Sequence, residues 1–237
     1  MYDPRQHLIV ALDVSSAATA QNMVAALGDS ALTYKVGMQL YTAEGPSVVR
    51  DLVASGRRIF LDLKYHDIPA TVAAAVREAA KLGVGMITVH AGGGGKMLRA
   101  AIEAAHSTNS AVMVLGVTVL TSMDDQDLDK VGVRGRVVDQ VLRLAALAVA
   151  NGCQGVVASA LEASELRSEL GHDFLIVTPG VRPAGKDHGD QSRVVTPAEA
   201  IAAGATHIVV GRPITAATNP VDEARSILEQ MSLAVST

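Results

Sequence analysis

Short apolar, β-branched runs alternate with Ala- and Leu-rich stretches from one end of the chain to the other. The runs predict strands at 8–12, 33–37, 58–63, 86–90, 111–117, 155–158, 174–178 and 207–210. Between them apolar residues recur at helical spacing, which predicts helices over 70–82, 95–105, 136–150 and 161–170 among others. Runs such as LIVAL, and HIVVG after its histidine, are apolar at consecutive positions rather than at every second one. A strand reads this way when both of its faces are covered, as in a parallel sheet flanked by helices. Eight strand-then-helix units fit a closed (β/α)8 TIM barrel, one α/β domain over residues 1–237. An open doubly wound sheet is the alternative, but its Gly-rich first turn is missing: the first turn here reads LDVSSAAT. No change in composition and no Pro- or Ser-rich linker divides the chain. The longest irregular piece, 179–196, falls between the seventh and eighth strands, and loops of that length are often lids or binding loops.

Composition removes several classes of function. With 49% hydrophobic and 19% charged residues the chain can build a large core, which excludes a disordered or fibrous protein. No apolar run reaches the roughly 18 residues expected of a membrane span. The start, MYDPRQHLIVALD, lacks the basic segment and long apolar stretch of a secretory signal. Twenty Lys and Arg against 24 Asp and Glu give a net charge of −4, and aromatics are only 3% with no Trp. That balance argues against a nucleic-acid surface and against stacking platforms for bases. Cys153 is the only cysteine, so neither an internal disulfide nor a cysteine zinc cluster can form, and a reducing, cytoplasmic compartment is expected.

In a barrel the chemistry belongs at the C-terminal ends of the strands. Those positions hold Asp13, Lys35, Asp62 with Lys64 and Asp67, His90, Thr118 to Ser122, Ser159, Pro179 to Arg182, and Gly211 with Arg212, an unusually charged set for an apolar interior. The densest stretch is FLDLKYHDIP. Alternation along a strand turns Asp62 and Lys64 to the same side, inside the barrel mouth, while Leu61 and Leu63 face the helices. A buried ion pair that merely plugs the barrel is the bland alternative. Three charges within six residues, with Lys35 on the neighbouring strand, favour a site in which an ammonium stands ready as a proton donor. After the eighth strand comes GRPI, where barrels commonly hold a phosphate group. Arg212 offers it a planar fork, and Arg182 and Gln191 on the preceding loop can close over the same anion. His66 reads as an exposed histidine leading into a helix, Gly92 to Gly95 as a flexible turn, and Cys153 as a small buried filler. His90 fits either a supporting hydrogen bond or barrel packing.

The motifs ALDV (11–14), YKVG (34–37), DLKYHDIPATV (62–72), HAGGG (90–94), VTVLTS (117–122), PGVRP (179–183), GDQ (189–191) and VVGRPI (209–214) occur in that order over almost the whole chain. Together they resemble the orotidine 5′-phosphate decarboxylase family. D-x-K-x-x-D alone is shared with sister enzymes; the full set is far more specific. The resemblance implies a homodimeric (β/α)8 barrel with sites at the subunit interface, no metal and no organic cofactor. The implied reaction converts orotidine 5′-phosphate to uridine 5′-phosphate. It implies that Asp13 and Lys35 contact the ribose hydroxyls and that Asp62 faces the substrate carboxylate. Lys64 is then the proton donor to pyrimidine C6. Asp67, with Thr71 beside it, is delivered to the partner's site, and Thr121 and Ser122 contact the pyrimidine. Pro179, Arg182, Gln191, Gly211 and Arg212 form the phosphate grip and its closing loop. Two rival readings fit these residues less well. A sister enzyme acting on a sugar phosphate through Mg2+ needs an acidic metal ligand where this chain has Lys35, a cation that repels Mg2+. A non-catalytic ligand sensor would be expected to have lost Lys64 or Asp62, and both are present.

Overall fold

The computed structural model describes residues 2–108, 111–183 and 195–235. Eight parallel strands close into a barrel in sequence order: β1 (Leu8–Ala11), β2 (Thr33–Gly37), β3 (Arg58–Tyr65), β4 (Met86–His90), β5 (Met113–Val117), β6 (Gly155–Val157), β7 (Leu175–Thr178) and β8 (His207–Val210). The α-helices that surround or link them among the described residues are α1 (Ala17–Leu27), α2 (Met38–Glu44), α3 (Pro46–Ala54), α4 (Pro69–Lys81), α5 (Gly94–Thr108), α6 (Asp125–Lys130), α7 (Val137–Ala150), α8 (Ala163–Leu170), α9 (Pro197–Ala202), α10 (Arg212–Thr215) and α11 (Pro220–Val235).

Strand alternation divides the apolar residues into two clusters. Ile9, Ala11, Phe60, Met86, Leu115, Val117, Val157, Val177 and Val209 fill the inside of the barrel. Their strand neighbours, such as Leu8, Val10, Tyr34, Val36, Leu61, Ile87, Val89, Ile208 and Val210, pack outward with the helices. On β2 the outward positions are Tyr34 and Val36, so Thr33, Lys35 and Gly37 point inward. Lys35 therefore stands above a largely apolar interior. Close packing explains Gly116: a Cβ there would lie 2.7 Å from the Ala148 Cβ of α7.

The expected strands agree with the observed ones to within two residues at each end. The stretch from Ala91 differs from expectation. It forms a 3-10 turn (Ala91–Gly93) leading straight into α5 rather than a flexible connection. Gly94, at φ 83°, makes the switch between the two helices that other residues rarely adopt. Cys153 is buried as expected, and burial pushes its thiol up to about 12.

At the opposite end of the barrel His7, just before β1, stacks on Tyr2 at 4.7 Å and lies 5.3 Å from His207, the first residue of β8. Burial, then the neighbouring His7 and Arg58, push the His207 imidazole down to about 4 from an ordinary 6.5. The folded state thus binds the proton less readily than the unfolded state, so the contribution is complete above about pH 6.5 and declines as pH falls towards 4. The lost stability is on the order of 3 kcal/mol. Denaturant melts of wild type and His207→Gln between pH 7 and 4.5 should show a shallower decline for the variant. Parallel declines in the two proteins would refute this role for His207.

Candidate active site

At the C-terminal end of the strands lies a cavity of about 620 Å3. Its floor is apolar, made by Ala11, Phe60, Val117, Val157 and Val209, and its wall carries Asp13, Lys35, Asp62 and Lys64. Thr121 and Ser122 after β5, Pro179 and Arg182 after β7, and Gly211 and Arg212 after β8 complete it.

The four charges on the wall are linked. Lys64 Nζ donates to Asp62 Oδ2 at 2.8 Å, and Lys35 Nζ lies 3.7 Å from the same oxygen. Lys35 Nζ also donates to Asp13 Oδ1 at 2.9 Å. Side-chain exposure is 10% for Asp62 and 12% for Lys35 but 53% for Asp13, so the chain of charges runs from a shielded interior to an open rim. Gly37 makes room for it: a Cβ there would stand 2.8 Å from Lys35 Nζ.

The backbone of β3 departs from a regular strand here. Leu61 is in register with Ile87 and Tyr65 with Val89, so β3 carries two residues more than β4 across the same interval. Lys64, inside that bulge, has φ 51°, the one positive value outside glycine among the described residues. Such a conformation costs on the order of 1–3 kcal/mol, and bulges commonly re-aim a side chain beside a functional site. Leu61 and Leu63 do face the helices, as alternation predicts. What alternation misses is that Lys64 reaches Asp62 from a bulged, left-handed backbone.

The bulge rests on Thr88, which sequence reasoning overlooked. Thr88 is fully buried on the inward side of β4. Its hydroxyl donates to Asp62 Oδ1 at 3.0 Å and accepts the Lys64 backbone N–H at 2.9 Å. A polar residue at the central inward position of MITVH, two places before His90, was the only signal, and a weak one. Gln39 at the start of α2 and Val119 and Leu120 after β5 also line the cavity and were not anticipated.

Other expected residues lie elsewhere. Asp67 and Thr71 are exposed and do not line the cavity of this chain. Asp67 Oδ1 accepts the N–H of Ile68 at 2.6 Å, and Ile68 is itself 66% exposed. Gln191 lies outside the described residues. The two ends of its loop are joined by a bridge between Val181 and Val195, and the Arg182 N–H donates to the Val195 carbonyl at 2.9 Å. His66 is exposed, with its ring 5.2 Å from that of half-buried His90. Burial, then His66 and Lys64, hold the His90 imidazole below its ordinary range, with Asp62 opposing. Among the described residues no cluster of three or more His, Cys, Asp or Glu is arranged to hold a metal ion.

Residues 6–227 match the model of the orotidine 5′-phosphate decarboxylase / HUMPS family. An orotidine 5′-phosphate decarboxylase of Halorhodospira halophila is 50% identical over 227 residues, covering 96% of each chain. That of Hydrogenovibrio crunogenus is 49% identical over 218 residues, covering 92% of each. The crystal structure of orotidine 5′-phosphate decarboxylase from Lactobacillus acidophilus superposes with a TM-score of 0.85 at 39% identity, over 95% of this chain and 98% of that one. A family model matched over nearly the whole length and relatives at about half identity lead to one conclusion: the chain belongs to the orotidine 5′-phosphate decarboxylase / HUMPS family.

Proposed function

We propose that this protein is a carboxy-lyase that converts orotidine 5′-phosphate to uridine 5′-phosphate, with Lys64 as proton donor and without metal or organic cofactor. The observation that carries the reading is the Lys64–Asp62–Lys35–Asp13 array above an apolar floor. When the C6–CO2 bond breaks, its electron pair stays at C6, in the ring plane, where no adjacent π-system absorbs it. Stabilisation must come from fixed charge, and the ammonium of Lys64 supplies it. A proton then passes from Nζ to C6, the product leaves, and solvent reprotonates the amine. Asp62 disfavours the reactant carboxylate more than the developing carbanion, and Lys35 keeps Asp62 compensated while meeting the ribose hydroxyls together with Asp13.

On the loops after β7 and β8, Arg182, Gly211 and Arg212 suit a phosphate, with Pro179 and Gln191 assigned to its closing loop. Thr121 and Ser122 suit the pyrimidine edge. Binding energy at the phosphate, remote from C6, can then be used to assemble the array. The sugar-phosphate rival fares poorly because two ammonium groups already crowd the Asp62 carboxylate and one of them also pairs with Asp13, leaving a poor setting for Mg2+. The reading includes a cytoplasmic homodimer in which exposed Asp67, Ile68 and Thr71 at the start of α4 turn towards the partner's cavity.

Purified protein should convert orotidine 5′-phosphate after exhaustive chelation with EDTA, and Lys64→Ala should abolish conversion while uridine 5′-phosphate still binds. A metal requirement restored by Mg2+ titration would move the function to the sugar-phosphate class. Mixing inactive Asp67→Ala and Lys64→Ala subunits should restore about a quarter of wild-type sites, since a mixed dimer has one site with both lesions and one with neither. No recovery despite demonstrated exchange would place Asp67 in its own subunit's site. Finally, Arg212→Ala should lower kcat/KM on the phosphate ester about ten- to a hundredfold, from a charge-assisted bond of roughly 1.5–3 kcal/mol. On the nucleoside orotidine, which has no phosphate, variant and wild type should be almost equally poor. An equal proportional loss on both substrates would refute the phosphate role.

A further inference from the structure

We propose that Thr88 is a positioning residue for the decarboxylation, fixing both the Asp62 carboxylate and the backbone from which Lys64 reaches it; the inference rests on the function proposed above. Thr88 sits on the inward side of β4 with no exposed surface. Its oxygen accepts the Lys64 N–H at 2.9 Å, and its one hydroxyl proton goes to Asp62 Oδ1 at 3.0 Å. A threonine hydroxyl has a single proton to give. Committing it to Asp62 leaves the oxygen lone pairs for the amide, so the two bonds are compatible and mutually orienting.

Both bonds follow from the bulge. In a regular parallel ladder the Lys64 N–H would meet a main-chain carbonyl; here a side chain of β4 takes it instead. The left-handed backbone of Lys64, at φ 51°, is held from its own N–H. The carboxylate is divided just as sharply. Oδ1 belongs to Thr88, while Oδ2 faces Lys64 Nζ at 2.8 Å and Lys35 Nζ at 3.7 Å. Without the hydroxyl the carboxylate is free to rotate, so the position at which Oδ2 holds Lys64 Nζ, and with it the direction in which Nζ meets C6, is no longer fixed. Thr88 does not line the cavity and touches no substrate, so it acts only through these two residues. The ribose and phosphate contacts lie on other strands, and ground-state binding should pass almost untouched.

Thr88→Val keeps the shape and removes the hydroxyl; Thr88→Ser keeps the hydroxyl and removes a methyl. The expected result for Thr88→Val is a loss of kcat of about 10- to 100-fold with KM within about twofold of wild type. Thr88→Ser should recover most of that loss, and this order tells positioning from packing, because a residue needed for its methyl would be hurt more by Ser. Valine at full kcat, or Ser as impaired as Val, would overturn the proposal. Should the Val variant not fold, Ser alone decides, with near-wild-type kcat expected. Crystal structures of both variants give a readout independent of turnover. Val should rotate the Asp62 carboxylate and release Lys64 from positive φ, and Ser should preserve both; an unmoved Asp62 and Lys64 in the Val variant would also overturn the role. Wild type that fails to convert orotidine 5′-phosphate removes the proposed function, and the crystal structures then decide the positioning of Asp62 and Lys64 by themselves.

Discussion

A carboxylate taken out of water needs compensating charge and hydrogen bonds, or it takes up a proton and loses its charge. Asp62, inward on β3 above the apolar interior, is in that position, and much of the architecture around it answers the need. Lys64 and Lys35 bring two ammonium groups to one oxygen, and Thr88 takes the other. Gly37 leaves the space through which Lys35 passes, and the bulge of β3 lets Lys64 return towards a residue two places before it in the same strand. Removing one partner from such a group leaves the remaining charges uncompensated, so the array behaves as a unit rather than as separable pairs.

The barrel supplies what a smaller scaffold could not. Closure in strand order brings the ends of β1, β2 and β3 side by side, so that Asp13, Lys35 and Asp62 become neighbours although they are far apart in sequence. The apolar floor limits water around the array, which strengthens each electrostatic interaction within it. The loops after β7 and β8 add Arg182 and Arg212 to the lining of the same cavity. Under the proposed function, the two groups divide the work: the arginines grip the part of the substrate that does not react, and the array meets the carbon that does.

Much of this was legible in the sequence. Continuous apolar runs such as LIVA and the IVV of HIVV announced strands covered on both faces, and their number announced the closed barrel. Lys35, Asp62 and Lys64 were identifiable because charges at the ends of apolar strands are costly and therefore informative. The bulge was not legible: nothing in LDLKY distinguishes it from a regular strand, since it depends on register with β4. Thr88 was hidden for the same reason, as a threonine in a strand usually signals only β propensity. The glycines after His90 misled through composition: a run of them suggests slack, whereas the structure uses them to start a helix. Asp67 and Thr71 are exposed and outside the cavity of this chain, and the role proposed for them rests on pairing with a second copy.

The central claim is that a fixed ammonium at Lys64 stabilises negative charge at C6 and delivers the proton there. Exchange of the C6 hydrogen of uridine 5′-phosphate with D2O, followed by proton NMR, tests that claim without CO2 in the reaction. Wild type should replace the C6 hydrogen with deuterium while leaving the C5 hydrogen in place, and Lys64→Ala should not exchange above the background in buffer. Exchange by Lys64→Ala at the wild-type rate would contradict the account.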